Sequence, residues 1–137
     1  MKMITYPTHA FRLPVVTLTG LPANERGEPC KPEEQHHQEW DFVRWLDEVI
    51  LNHETFRTGP GLRRSARILQ IARQAREGEI GPSFTLDDDD HAALANAMDN
   101  WPEPFPAWMR KAAPYFEAIA SATDAKPMPQ VGGGSGI

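Results

Sequence analysis

Apolar side chains recur along this chain with two periods. Over 34–54, Phe42, Leu46, Val49 and His53 fall at helical spacing, with Val43 and Ile50 beside them. Trp40 and Trp45 widen that face, and Glu33, Glu34 and Glu39 stand near its start, where the helix dipole favours acid. T-G-P-G at 58–61 is a stop. A second helix is predicted over 61–77, where Leu62, Ala66, Leu69, Ala72 and Ala75 form a narrow stripe with Ile68 and Ile71 beside it. Its alanines suit close approach of a neighbouring helix. The third helix is predicted over 86–99, with Thr85 as N-cap and Asp88 as the acid of a capping box. Leu94, Ala97, Met98 and Trp101 would face inward. Pro102, Pro104 and Pro106 force a bend, a short turn follows at 106–112, and Pro114 opens a last helix running to about 122.

Residues 1–35 show the other period. Phe11, Leu13 and Val15 alternate with Arg12, Pro14 and Val16, which predicts a strand near 14–19. Pro7 and Pro14 favour an edge strand or an arm. L-P-A-N-E-R-G-E-P-C-K-P then reads as a polar loop. The expected fold is therefore mainly α: a small helical bundle of four to five short helices with an extended or β N-terminal arm. The arm and loop take 1–35, the helical domain 36–123, and a flexible tail 124–137.

Composition narrows the class. At 137 residues the chain is one domain's worth, and 40% apolar residues allow a small core. The 13 prolines fall mainly before 35 and after 101, leaving the regular structure to the middle. A net charge of -5 argues against a general nucleic-acid binder. A single cysteine, Cys30, excludes an internal disulfide framework and fits a reducing cytoplasm. The N-terminus lacks a signal-like apolar run, and no stretch approaches the roughly 20 apolar residues of a membrane span. A soluble, intracellular protein is expected.

Candidate chemistry is sparse. Asp87–Asp90 could attract a divalent cation, but consecutive acids on a helix point about 100° apart, and a solvated helix start explains them better. His36, His37, Glu39, His53 and Cys30 match no zinc-ligand spacing. Cys30 lies between prolines with nothing to stabilise a thiolate. No phosphate loop, nucleophile elbow or complete acid–base set occurs, so no catalytic residue, metal or cofactor is expected. The basic helix is the stronger feature: Arg63, Arg64, Arg67, Arg73 and Arg76 are five of the 14 cationic residues. It could be solvated and paired internally, meet an acidic protein or a second copy of the chain, or touch nucleic acid. The aromatic residues Trp40, Trp45, Trp101, Trp108, Tyr115 and Phe116 are numerous for this length, and Trp and Tyr dominate interface hot spots. Trp101 and Trp108, bracketed by prolines, are the expected exposed anchors. The expected partner-binding set is Trp40, Trp45, Arg63, Arg64, Arg67, Trp101, Trp108 and Phe116.

The final third, D-D-D-D-H-A-A-L-A-N-A-M followed by prolines and A-P-Y-F-E-A-I-A-S-A, resembles small tail-morphogenesis proteins of tailed bacteriophages, of the tail-assembly-chaperone type. Pro114, Phe116, Ala118, Ile119 and Ala122 occupy the closing-helix positions, and the likeness covers 85–122. The resemblance implies a non-enzymatic protein that associates with tape-measure or other tail components in the host cytoplasm. The Pro-rich N-terminal segment departs from that pattern and leaves room for a structural virion-associated subunit. A small DNA-binding regulator using the Arg63–Arg76 helix is the reading from another class.

Overall fold

The computed structural model describes residues 1–125. Its first strand, β1 (Lys2–Thr5), is not an arm. It lies between β4 (Ser83–Leu86) and β5 (Thr123–Asp124), antiparallel to both. Ile4 is buried opposite Phe84, while Met3 and Thr5 point outward, the alternation a half-buried strand requires. A second antiparallel pair joins β2 (Phe11–Pro14) to β3 (His37–Trp40). Phe11 stands opposite Trp40 there, and the two rings stack at 6.3 Å.

These sheets correct the expected helical bundle. The described residues form an α+β fold, with four α-helices and two small antiparallel sheets. The strand predicted near 14–19 lies earlier, and β2 ends at Pro14. Residues 15–23 instead form a tight hairpin, closed by the Thr17 N–H donating to the Leu21 carbonyl at 2.9 Å and turned by Gly20 at φ 85.

The long helix expected over 34–54 is also divided. His37–Trp40 is strand, held by its pairing with β2. Asp41 then caps α1 (Phe42–Glu48) by accepting from the Arg44 N–H at 2.8 Å. Two helical turns bury Phe42, Val43, Trp45 and Leu46. Short 3-10 turns at Ile50–Asn52 and Glu54–Phe56 follow, the second capped by the His53 ring.

Thr58 caps α2 (Gly59–Arg76) through the Gly61 N–H. A Cβ at Gly61 would overlap the Thr55 carbonyl oxygen, so the turn into α2 demands glycine. Ile68, Ala72 and Ala75 face the core, whereas Leu62 is 56% exposed. The predicted stripe is thus split between two faces. Thr85 belongs to β4, and Asp87 takes the N-cap position of α3 (Asp88–Asp99). A 3-10 segment, Ala107–Ala112, runs directly into α4 (Ala113–Ala120), with Pro114 in its first turn as predicted. The expected tail begins in β5, and its part from 126 onward lies outside the described residues.

Two outcomes follow. Deleting residues 1–6 removes the central strand and leaves β4 and β5 without a shared partner. The cooperative thermal transition seen by circular dichroism should then be lost, whereas removal of a dispensable arm would leave Tm unchanged. The second concerns Tyr6, whose hydroxyl is buried with no hydrogen-bond partner among the described residues. Burial, assisted by the Asp41 charge, pushes its pKa up to about 12. A phenol whose folded pKa exceeds its unfolded value contributes stability below pH 10 and loses it as pH rises toward 12. Tyr6→Phe should leave Tm at pH 7 unchanged or raised, and should flatten the loss of stability between pH 10 and 12 in urea titrations.

Candidate docking groove

Three prolines decide where the aromatic residues go. Pro102, Pro104 and Pro106 follow α3 and bar its continuation, so the chain turns aside before entering Ala107–Ala112. On that detour Phe105 stacks on Trp101 at 5.0 Å. Phe105 also meets Phe116 edge-on at 5.3 Å, and Phe116 meets Trp45 edge-on at 5.1 Å. Trp101 rests against the His53 ring at 5.3 Å. Offset and edge-on ring pairs of this kind favour fixed geometry beyond simple burial.

Beside this series opens a groove of about 810 Å³ between the end of α3, the Ala107–Ala112 segment and α4. Its floor is apolar: Met98, Phe105, Met109, Ala113, Phe116 and Ala120. Asp99, Arg110 and Glu117 are the charged residues of the lining. Met109 is anchored from beneath, since the Trp45 indole N–H donates to its Sδ at 3.3 Å. A rigid aromatic backing, two adaptable methionines and small alanines suit an apolar polypeptide segment.

The expected partner-binding residues therefore separate. Trp101 and Phe116 belong to the aromatic series at the groove. Trp40 and Trp108 meet each other at 5.4 Å on the opposite flank, packed on Phe11, with the Arg44 guanidinium 4.5 Å above Trp40. Trp45 is fully buried and cannot touch a partner; it is a core residue that braces the groove from within. Its position on the inner face of a short, capped helix is the reason. Phe105, Met98 and Met109 were not expected at a site. The cue available for Phe105 was its place between Pro104 and Pro106, which denies it a helix and leaves the ring to stack.

The arginines separate too. Asp90 is only 2% exposed, so the acidic run is not a uniformly solvated helix start. Its carboxylate accepts from Arg64 Nε at 3.0 Å and from Arg67 Nη2 at 2.9 Å. Arg64 and Arg67 are thus committed inside the molecule, tying α2 to the first turn of α3. The same pairing holds the Arg67 guanidinium above its ordinary pKa. Arg63 is exposed and forms no ion pair among the described residues. Elsewhere in the run, Asp88 meets the N-terminal ammonium at 3.0 Å.

The remaining candidates do not converge. His36, His37 and Glu39 line a polar hollow of about 600 Å³ with Arg12 and Asn24. Among the described residues no three His, Cys, Asp or Glu side chains are grouped as a metal ion would require. The Cys30 thiol is held above its usual range, first by burial and then by the Glu34 and Glu33 charges, the reverse of an activated nucleophile. No described helix is long and apolar enough to cross a membrane. No known family, curated protein or solved structure matches this chain.

Asp90→Ala should leave two guanidinium groups without their shared carboxylate. Both arginines are partly solvated, so the expected loss is about 2 kcal/mol, below that of a fully buried pair. Asp89→Ala, at an exposed position, should cost less than about 0.5 kcal/mol. Urea unfolding of the two variants side by side measures the difference.

Proposed function

We propose that this chain is a non-enzymatic phage assembly protein of the tail-assembly-chaperone kind, and that it works by holding an apolar segment of a tail or virion protein in the groove between α3 and α4. One observation carries the reading. The groove floor of Met98, Phe105, Met109 and Phe116 is left open by the described residues, while behind it Trp101 stacks on Phe105 and Trp45 meets Phe116 edge-on. Support also comes from the acidic helix start, proline link and closing helix at 85–122, which resemble such proteins.

The chemistry favours a helical client. Grooves of this form take amphipathic helices through apolar side chains spaced three and four residues apart. Arg110 and the pair Asp99 and Glu117 sit among the lining, so a client helix with flanking charges of both signs would be held in one orientation. Preformed stacking behind the floor means that little ordering has to occur on binding. A chaperone needs this combination, because its client must be shielded before assembly and released intact.

The test fills the groove without disturbing its backing. Ala113 is exposed and lies on the groove wall, so Ala113→Trp adds bulk where the client would lie. Binding to tail proteins co-expressed with the chain should weaken about tenfold or more, equivalent to about 1.4 kcal/mol. Tm should stay within a few degrees of the parent. Unchanged binding by this variant overturns the groove. Recovery of the chain in finished particles would move the assignment to a virion-associated subunit.

A further inference from the structure

We infer that the apolar tip of the hairpin at 15–23 docks into the groove between α3 and α4 of a second copy of this chain, so that copies associate head to tail. The inference rests on the groove being a docking surface, as proposed above, and not on the identity of its client.

The first observation is the tip. Leu18 is fully exposed, and Val16 and Leu21, on the two strands below it, are 52% and 54% exposed. Three of the seven large apolar side chains exposed among the described residues thus fall within six positions, a concentrated patch rather than scatter. No residue from Val16 to Pro22 is ionisable, so burying the tip strands no charge. Its polar side chains are occupied locally: Thr17 Oγ1 accepts from the Leu21 N–H at 3.1 Å and lies 3.1 Å from Thr19 Oγ1. The backbone is set in advance, since the Gly20 N–H donates to the Thr17 carbonyl at 2.9 Å and the Thr17 N–H to the Leu21 carbonyl. A knob already ordered loses little freedom on docking.

The second observation points to the occupant. The hairpin stands away from its own groove and is held there. The Val15 N–H donates to the His36 carbonyl at 2.8 Å and the His36 N–H to the Ala23 carbonyl at 3.0 Å, which fixes the hairpin's base, with Ala23 fully buried, to the start of β3. Tip and groove are therefore bare at separate places on one chain, and only another copy's tip can enter this groove. They match in kind, an uncharged apolar knob against a floor of Met98, Phe105, Met109 and Phe116. They match in size as well, because one leucine flanked by two smaller contacts enters a groove of about 810 Å³ end-on without widening it. Each copy offers both halves, so the contact is heterologous: one tip fills the next groove. An unrelated acceptor would cover the tip and leave every groove bare, whereas pairing between copies covers both. The contact is small, which suits a groove that is kept covered until a client with more apolar anchors displaces the tip.

Complementation between two blocked variants tests this. Sedimentation equilibrium over a concentration series should show the parent chain associating beyond the monomer. Leu18→Asp puts a charge on the tip and Ala113→Trp fills the groove, and each should raise the dissociation constant about tenfold or more. Both positions are exposed, so thermal melts should stay within a few degrees of the parent. An equimolar mixture should form a one-to-one dimer at near-parent affinity and go no further, because the Leu18→Asp variant keeps its groove and the Ala113→Trp variant keeps its tip. A parent chain that stays monomeric throughout overturns the inference. So does a mixture that associates no better than either variant alone. Client capture separates this inference from the reading it rests on: the Leu18→Asp variant should hold co-expressed tail proteins at least as well as the parent. Dimerisation of the mixture with no client held by either protein supports the self-association and removes the client assignment; a client held by a chain that never self-associates does the reverse.

Discussion

Tyr115 is the point at which three distant parts of the chain become one core. Its ring, fully buried, meets Phe42 edge-on at 5.5 Å, Trp45 at 5.3 Å and Phe11 at 5.9 Å. A buried phenol needs a hydrogen-bond partner, and here the hydroxyl donates to the His9 carbonyl. The His9 ring reaches the Lys111 carbonyl in return, at 2.9 Å. The segment after β1 is thereby fixed to the start of α4. Burial holds the Tyr115 hydroxyl well above its ordinary pKa, so it serves as a neutral donor. Once Tyr115 and Ile119 face inward, helical geometry dictates the rest of α4. Ala113, Phe116 and Ala120 must turn toward the flank, and they form one wall of the groove.

What the sequence made legible follows the range of each interaction. α2, α3 and α4 follow local periodicity, helped by the Thr58 cap of α2 and by Pro114 in the first turn of α4, and their predicted bounds lie close to the observed ones. The sheets are set by partners far apart in the chain. Lys2 pairs with Leu86 and Asp124, and no local pattern around Lys2 announces either. A four-residue strand such as K-M-I-T carries too few alternations to declare itself. The same limit explains the false helix start before Asp41. Trp40 and Phe42 fit a helical face as well as they fit a strand followed by a cap. Only the stacking of Trp40 on Phe11 decides between them.

The site shows the same division. Prolines around Trp101 and Trp108 suggested exposed anchors, but both are half-buried, Trp101 against His53 and Phe105 and Trp108 against Trp40 and Phe11. How deeply a given tryptophan is buried was not legible: Trp45 and Trp40 have similar neighbours in sequence, yet Trp45 is fully buried and Trp40 half-buried on Phe11 and Trp108. Asp90 is the sharper case. Four identical residues in a row differ only in angle around the helix, and the third turn of that angle points Asp90 at α2. Arginine spacing in α2 matches this: Arg64 and Arg67 are three apart and reach one carboxylate, while Arg63 projects elsewhere. A pair that looks like a phosphate-binding patch in sequence is a bolt between two helices in space.

This bolt has a consequence for how the molecule can be used. It ties α2 to the first turn of α3, and the His91 ring, one residue on, contacts the Ile119 carbonyl at 2.9 Å. The N-terminal half of α3 is therefore held from both sides, by α2 and by α4. Its C-terminal end is held by packing instead: Leu94 and Ala97 are buried, and Trp101 just beyond rests against the His53 ring and stacks with Phe105. Beyond it, each proline ring fixes its own φ and restricts the residue before it, which narrows the backbone conformations open to the segment carrying Phe105. The groove is thus backed by the core rather than separate from it: Phe116 meets Trp45 edge-on, the Trp45 indole donates to Met109, and Trp45 packs on Tyr115.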